Sequence, residues 1–126
     1  MEPPTRQEQA QALLRLEGRR LASSILGRRA TTTADFEEAF TLEHVDLVAE
    51  IPTPEAMMAL GRNIVGPRDG LYVLDDDGNY RVYTQESGIA FEEERGLTFE
   101  RGREVVIDRL LRLGGLPFVP PGSRDL

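Results

Sequence analysis

The residues best placed to bind a charge or move a proton lie in 71-LYVLDDDGNYRVYTQESG-88, where Asp75, Asp76 and Asp77 run into Gly78. Acid runs that end in glycine occur in calcium loops. Such a loop has oxygen ligands at positions 1, 3 and 5, glycine at 6 and a bidentate glutamate at 12. With Gly78 at the sixth position, Asp75 and Asp77 fill the third and fifth, but the first is Val73 and the twelfth Thr84. The opening and closing ligands are both missing, so no metal and no cofactor are expected. A hairpin turn accounts for the same residues. Asp77-Gly78 suits the type I′ turn, whose two central residues both need positive φ.

Other chemistry finds less support. Nucleophilic catalysis needs a serine, threonine or cysteine beside a histidine base. The chain has no cysteine and one histidine, His44, while Ser23 and Ser24 fall in a helical pattern and Ser87 in a turn. There is no G-x-S-x-G elbow, phosphate loop or G-x-G-x-x-G. His44 has Glu43 and Asp46 nearby, but without a second ligand motif it reads as a partly exposed histidine on a strand or loop. Glu92, Glu93 and Glu94 form the densest glutamate run. A glycosidase sets two carboxylates across a sugar, whereas strand alternation turns Glu93 away from Glu92 and Glu94. No tryptophan is present to stack a sugar. These residues predict binding rather than catalysis.

The elements that must position them follow from periodicity and punctuation. A two-residue turn at Asp77-Gly78 pairs Asp76 with Asn79, Asp75 with Tyr80, Leu74 with Arg81, Val73 with Val82 and Tyr72 with Tyr83. Leu71, Val73, Tyr80 and Val82 then share a core face. Tyr72, Leu74, Arg81 and Tyr83 share an amphipathic one, left for polar residues or a partner. A third strand is expected over residues 89–94 after a turn at Ser87-Gly88, with a break at Arg95-Gly96.

Residues 6–27 read as one helix carrying Ala10, Leu13, Leu14, Leu21 and Ile25 on a stripe, weakened at Gly18 and ended by Gly27. Thr53-Pro54-Glu55 starts a short helix to about residue 60, with a loop after it. Residues 100–113 form the last helix, with Val106, Ile107, Leu110, Leu111 and Leu113 on its apolar face and Arg109 and Arg112 complementing its C-terminal dipole. Between residues 30 and 52 the signal is mixed: Phe36 and Phe40 suit a short helix, while 42–49 alternates enough to allow a strand. The expectation is a single α+β domain over residues 1–126, a small antiparallel β-meander packed by an N-terminal and a C-terminal helix. Residues 1–5 and 117–126 are expected to be extended or flexible.

Composition narrows the classes further. The 126 residues suit one ordinary domain, and no run of 18 apolar residues offers a membrane span. The start, MEPPTRQEQA, lacks the basic-then-apolar layout of a signal peptide, so a cytoplasmic location is expected. All 15 basic residues are arginine, and the net charge is −7. That balance disfavours general affinity for nucleic acid and suits a basic partner, or simply solubility.

On these residues the chain resembles small bacterial immunity proteins, the cytoplasmic partners of polymorphic toxins. In them a tight hairpin of the DDDGNYRVYTQESG type leads through another strand into a terminal helix like FERGREVVIDRLLRL. The similarity spans residues 71–113, about a third of the chain, and lies in this layout with Asp77-Gly78, Tyr80, Val82, Glu86, Gly88, Phe99 and the apolar helix. It implies a cognate toxin domain as partner, bound and blocked without catalysis. The acids on consecutive strands of the meander, Asp75, Asp76, Glu86, Glu92 and Glu94, are expected to form one surface for a basic toxin, with Tyr72 and Tyr83 beside them. Two other readings remain open. One is a regulatory or scaffold module using the N-terminal helix; the other is a small ligand-binding domain or enzyme with Tyr72, Arg81 and Tyr83 around a cleft.

Overall fold

A computed structural model describes residues 2–123. The described residues form the helices α1 (Arg6–Leu14), α2 (Gly18–Leu26), α3 (Thr33–Ala39), α4 (His44–Ala49) and α5 (Pro54–Met58). The strands β1 (Gly70–Asp76), β2 (Asn79–Glu86) and β3 (Ile89–Leu97) follow, and then α6 (Phe99–Leu113). The fold is α+β. The contacts group into two compact units, one of the residues up to Glu50 with those from Leu110 onward, the other Ile51–Arg109.

In the Ile51–Arg109 unit the strands make an antiparallel sheet in the order β1-β2-β3. The pairing of Val73 with Val82, Tyr72 with Tyr83 and Asp76 with Asn79 is the one the turn predicts. Asp77 and Gly78 both take positive φ, 59° and 91°, the mark of a type I′ turn. Ser87 and Gly88 repeat it at the second turn. The third strand runs on to Leu97 and is not broken at Arg95-Gly96. Instead it bulges twice. Tyr80, Val82 and Thr84 oppose Leu97, Glu94 and Phe91, so each two-residue step on β2 meets three residues on β3. The surplus is absorbed where Glu92 and Gly96 adopt left-handed φ of 52° and 65°.

Leu71, Val73, Tyr80 and Val82 are buried, as a core face should be. The C-terminal helix closes on this face at Gly102, where a Cβ would sit 3.4 Å from Met57 Sδ of α5 and 3.7 Å from Tyr80 Cβ. The opposite face departs from expectation. Tyr72, Leu74 and Tyr83 are buried in a cluster of their own. The loop of residues 61–69 pairs with β1 and binds this face. Arg62 N–H donates to Leu71 O (2.8 Å) and Val73 N–H to Arg62 O (2.9 Å), a parallel bridge along β1. Gly61 permits that approach, since a Cβ there would lie 2.8 Å from Val73 Cγ2 and 2.9 Å from Leu71 O. The Tyr72 hydroxyl reaches the carbonyls of Gly66 (2.9 Å) and Arg68, and Gln85 Nε2 donates to the same pair at 3.1 and 3.0 Å. The Asp69 carboxylate accepts from Ser87 N–H (2.9 Å) and Gly88 N–H (3.2 Å), tying the loop to the second turn.

In the other unit the expected single N-terminal helix is two. The break falls after α1, where Leu16 turns left-handed at φ 62°, and Gly27 ends α2 in the same conformation at φ 70°. The ambiguous stretch holds two short helices, α3 and α4, joined by the non-helical residues 40–43, and both helices start on capping boxes, Thr32 with Asp35 and Glu43 with Asp46. A strand over 42–49 is excluded by α4. Buried Gln9 joins the segments: its Oε1 accepts from the N–H groups of Thr41 (2.8 Å) and Leu42 (3.0 Å), and its Nε2 donates to Pro4 O and Thr41 Oγ1. Thr5, itself extended, caps α1. The tail is irregular but docked through residue 123. Phe118 is buried against Phe40, and Pro121 O accepts from His44 N–H at 2.9 Å. Residues 124–126 of the expected tail lie outside the described residues.

Candidate functional site

The acids expected to face a partner divide into three groups. Glu92 and Glu94 are not free of the core. Arg109 is 7% exposed, and its guanidinium is gripped by Glu92 Oε2 at 3.4 Å, Glu94 Oε2 at 2.9 Å and Asp108 Oδ2 at 2.7 Å. A guanidinium so withdrawn from water is tolerated only when paired, and these two glutamates are two of its counterions. Glu93 turns to the opposite side, toward Arg81 (3.8 Å) and Arg95, as strand alternation predicts. Arg109 lies 15 residues beyond Glu94 and fits a helix-dipole role from sequence alone, which is why the pairing was not legible.

Glu86 is exposed at the far end of β2. From Asn79 at the tip to Glu86 the strand covers about 23 Å at ~3.3 Å per residue, so Glu86 and the tip acids do not make one patch. Tyr72 and Tyr83 also leave the expected surface. Their rings stack at 4.8 Å between centroids with 7° between planes, both buried. Arg81 lies over Tyr83 at 5.4 Å. Tyr72 anchors the loop through its hydroxyl, with the Tyr83 ring stacked on it.

The hairpin tip is exposed as well. Asp75, Asp76 and Asp77 are open to solvent, and the Asp75 carboxylate steadies the turn by accepting from Gly78 N–H at 3.1 Å. Sequence reasoning passed over the neighbour of this tip. Ile64 and Val65 are 80% and 64% exposed, at the crest of a loop fixed by Arg62 on one side and by Gly66 and Arg68 on the other. The available signal was two β-branched residues between Gly61 and Gly66, where a loop would ordinarily be polar. A cleft of about 360 Å³ runs here, with Met58, Ile64, Val65 and Leu74 as apolar lining and Asp75, Asp76 and Arg81 as charged lining. Arg81 lies 3.8 Å from Glu93 and over the Tyr83 ring, and the two aspartates outnumber it, so the charged lining is net negative.

His44 opens α4, half-buried, with its ring Nδ1 3.3 Å from Ser123 Oγ. Among the described residues no group of three or more acids and histidines is placed to hold a metal ion, and no helix is long and apolar enough to cross a membrane. No protein-family model, curated protein or solved structure matches the chain.

Proposed function

We propose that the chain is a binding protein that neutralises a basic protein partner, in the manner of the immunity proteins it resembles, without catalysis of its own. The observation that carries this reading is the pairing of exposed Ile64 and Val65 with the exposed acids Asp75 and Asp76 on a framework held by backbone and side-chain hydrogen bonds. Exposed apolar side chains on a fixed loop lose little entropy when a partner covers them. Acids at their edge steer a cationic partner and raise the association rate, which a neutraliser needs. The partner would be a toxin domain made in the same cell and met in the cytoplasm.

The test begins with the reading frame beside the gene. If it encodes a protein ending in a toxin domain, that domain is purified and its association measured at two salt concentrations. Asp75→Arg with Asp76→Arg is expected to slow association about tenfold or more at low salt, to flatten the salt dependence, and to weaken protection on co-expression. Toxin binding that ignores both the reversal and salt, or a metabolic operon around the gene, overturns the reading.

A further inference from the structure

The cleft between the 61–69 loop and the β1–β2 tip has a composition that selects its occupant. Its apolar lining of Met58, Ile64, Val65 and Leu74 offers room for an aliphatic or small aromatic side chain. Its charged lining is net negative, because exposed Asp75 and Asp76 outnumber Arg81, which lies 3.8 Å from Glu93 and over the Tyr83 ring. The loop wall is held to the strands of the other wall. Arg62 hydrogen-bonds β1 through its backbone, Gly66 and Arg68 are held by Tyr72 and Gln85, and the opposite wall is a type I′ hairpin. A preformed apolar slot with an anionic edge favours an apolar side chain flanked by cations, and repels the same side chain flanked by acids.

We propose that this cleft is a socket for one apolar side chain flanked by arginine or lysine on a segment of a basic protein partner, with Ile64 and Val65 as its principal apolar contacts. The proposal rests on the binding reading above and adds the part of the partner that is held. It also accounts for Ile64 and Val65 standing in water, since aliphatic side chains gain most when a partner buries them.

The socket is tested without any toxin. The full-length ¹⁵N-labelled protein is titrated to millimolar concentration with end-blocked Arg-Ala-Leu-Ala-Arg, and in parallel with Glu-Ala-Leu-Ala-Glu and Arg-Ala-Ser-Ala-Arg. Amide shifts confined to residues 63–65, 74–77 and 81, from the first peptide alone, are the expected result. Ile64→Ser with Val65→Ser should abolish them while the rest of the spectrum is unchanged, because both side chains lie largely in solvent. Asp75→Asn with Asp76→Asn should weaken them several-fold. Absence of shifts at millimolar peptide, equal shifts from the serine or acidic peptide, or shifts centred elsewhere would each overturn the proposal. If the first peptide binds here but the neighbouring toxin domain does not bind the protein, the socket stands and the toxin is removed as its owner.

Discussion

At Arg109 the chain places a permanent positive charge where water scarcely reaches, and three carboxylates answer it. The arrangement reverses what the glutamates suggest in isolation. Glu92→Arg with Glu94→Arg looks like a harmless surface change, but it leaves the guanidinium facing two new cations and only Asp108. Removing one side of a buried pair costs about 3–5 kcal/mol. The Glu92 and Glu94 side chains are 42% and 34% exposed, and that wetting lowers the expected loss to about 1–3 kcal/mol. A urea midpoint unchanged by the double reversal would show that the cluster contributes nothing to the fold. Tyr72 offers a milder test. Tyr72→Phe keeps the ring stacked on Tyr83 but deletes the hydroxyl that reaches Gly66 and Arg68. Gln85 still donates to both carbonyls, so the cost should be about 0.5–1.5 kcal/mol. Faster hydrogen exchange should appear in residues 66–69 rather than in the strands.

Turns and close approaches decide the elements, and two glycines carry opposite kinds of constraint. Gly78 is required by conformation: its φ is 91° with open space around a Cβ, and Gly78→Ala should cost about 1–2 kcal/mol through backbone strain alone. Gly61 is required by space. A Cβ there meets the Leu71 carbonyl at 2.9 Å, which is backbone and cannot swing aside, so Gly61→Ala should lift the loop from β1. Loss of protection at the Val73 amide, which Arg62 O accepts, is the measurement; full protection would refute it. The same contrast explains what was legible in sequence. The first hairpin register was readable because strand alternation and a two-residue turn over-determine it. The capped helix at Thr53 and the apolar stripe of α6 were readable too. The break at Leu16 was not, because Leu13, Leu14, Leu21 and Ile25 keep helical spacing across it. In α4, six residues with apolar positions two and three apart fit either period, and the Glu43/Asp46 capping box was the overlooked arbiter. The bulges of β3 were hidden because Arg95-Gly96 spells a turn as readily as a bulge. The covered second face of the sheet depends on loop bonds from Tyr72 and Gln85 that no local pattern encodes. The site divides similarly, with the tip aspartates legible from turn chemistry and Ile64 and Val65 legible only once their exposure is seen.

For the molecule as a whole, a net charge of −7 sets its behaviour toward partners, but a few particular carboxylates set its response to acid. Asp35 is held well below the usual carboxylate range, chiefly by the N–H groups of Thr31 and Thr32 and then by Arg28. Asp46 is lowered chiefly by the N–H of Glu43, with Arg6 adding to it. Glu8 is lowered by its bonds to Thr5. Each belongs to a helix N-terminus in the unit that holds α1 to α4. A carboxylate whose folded value lies below its unfolded one stabilises the fold fully above the unfolded value. That contribution is lost as pH falls through the lowered folded value. The unit should therefore weaken progressively from about pH 5 toward pH 2, the range in which unfolded acids take up protons before these do. Hydrogen exchange followed down this range should show the amides of α3 and α4 losing protection. Asp35→Asn with Asp46→Asn keeps an acceptor at each helix start but removes the charge that titrates. It should begin less stable at neutral pH and lose less on acidification, so that the two stability curves converge. Parallel curves for the variant and the parent would mean that these capping carboxylates do not govern the acid response.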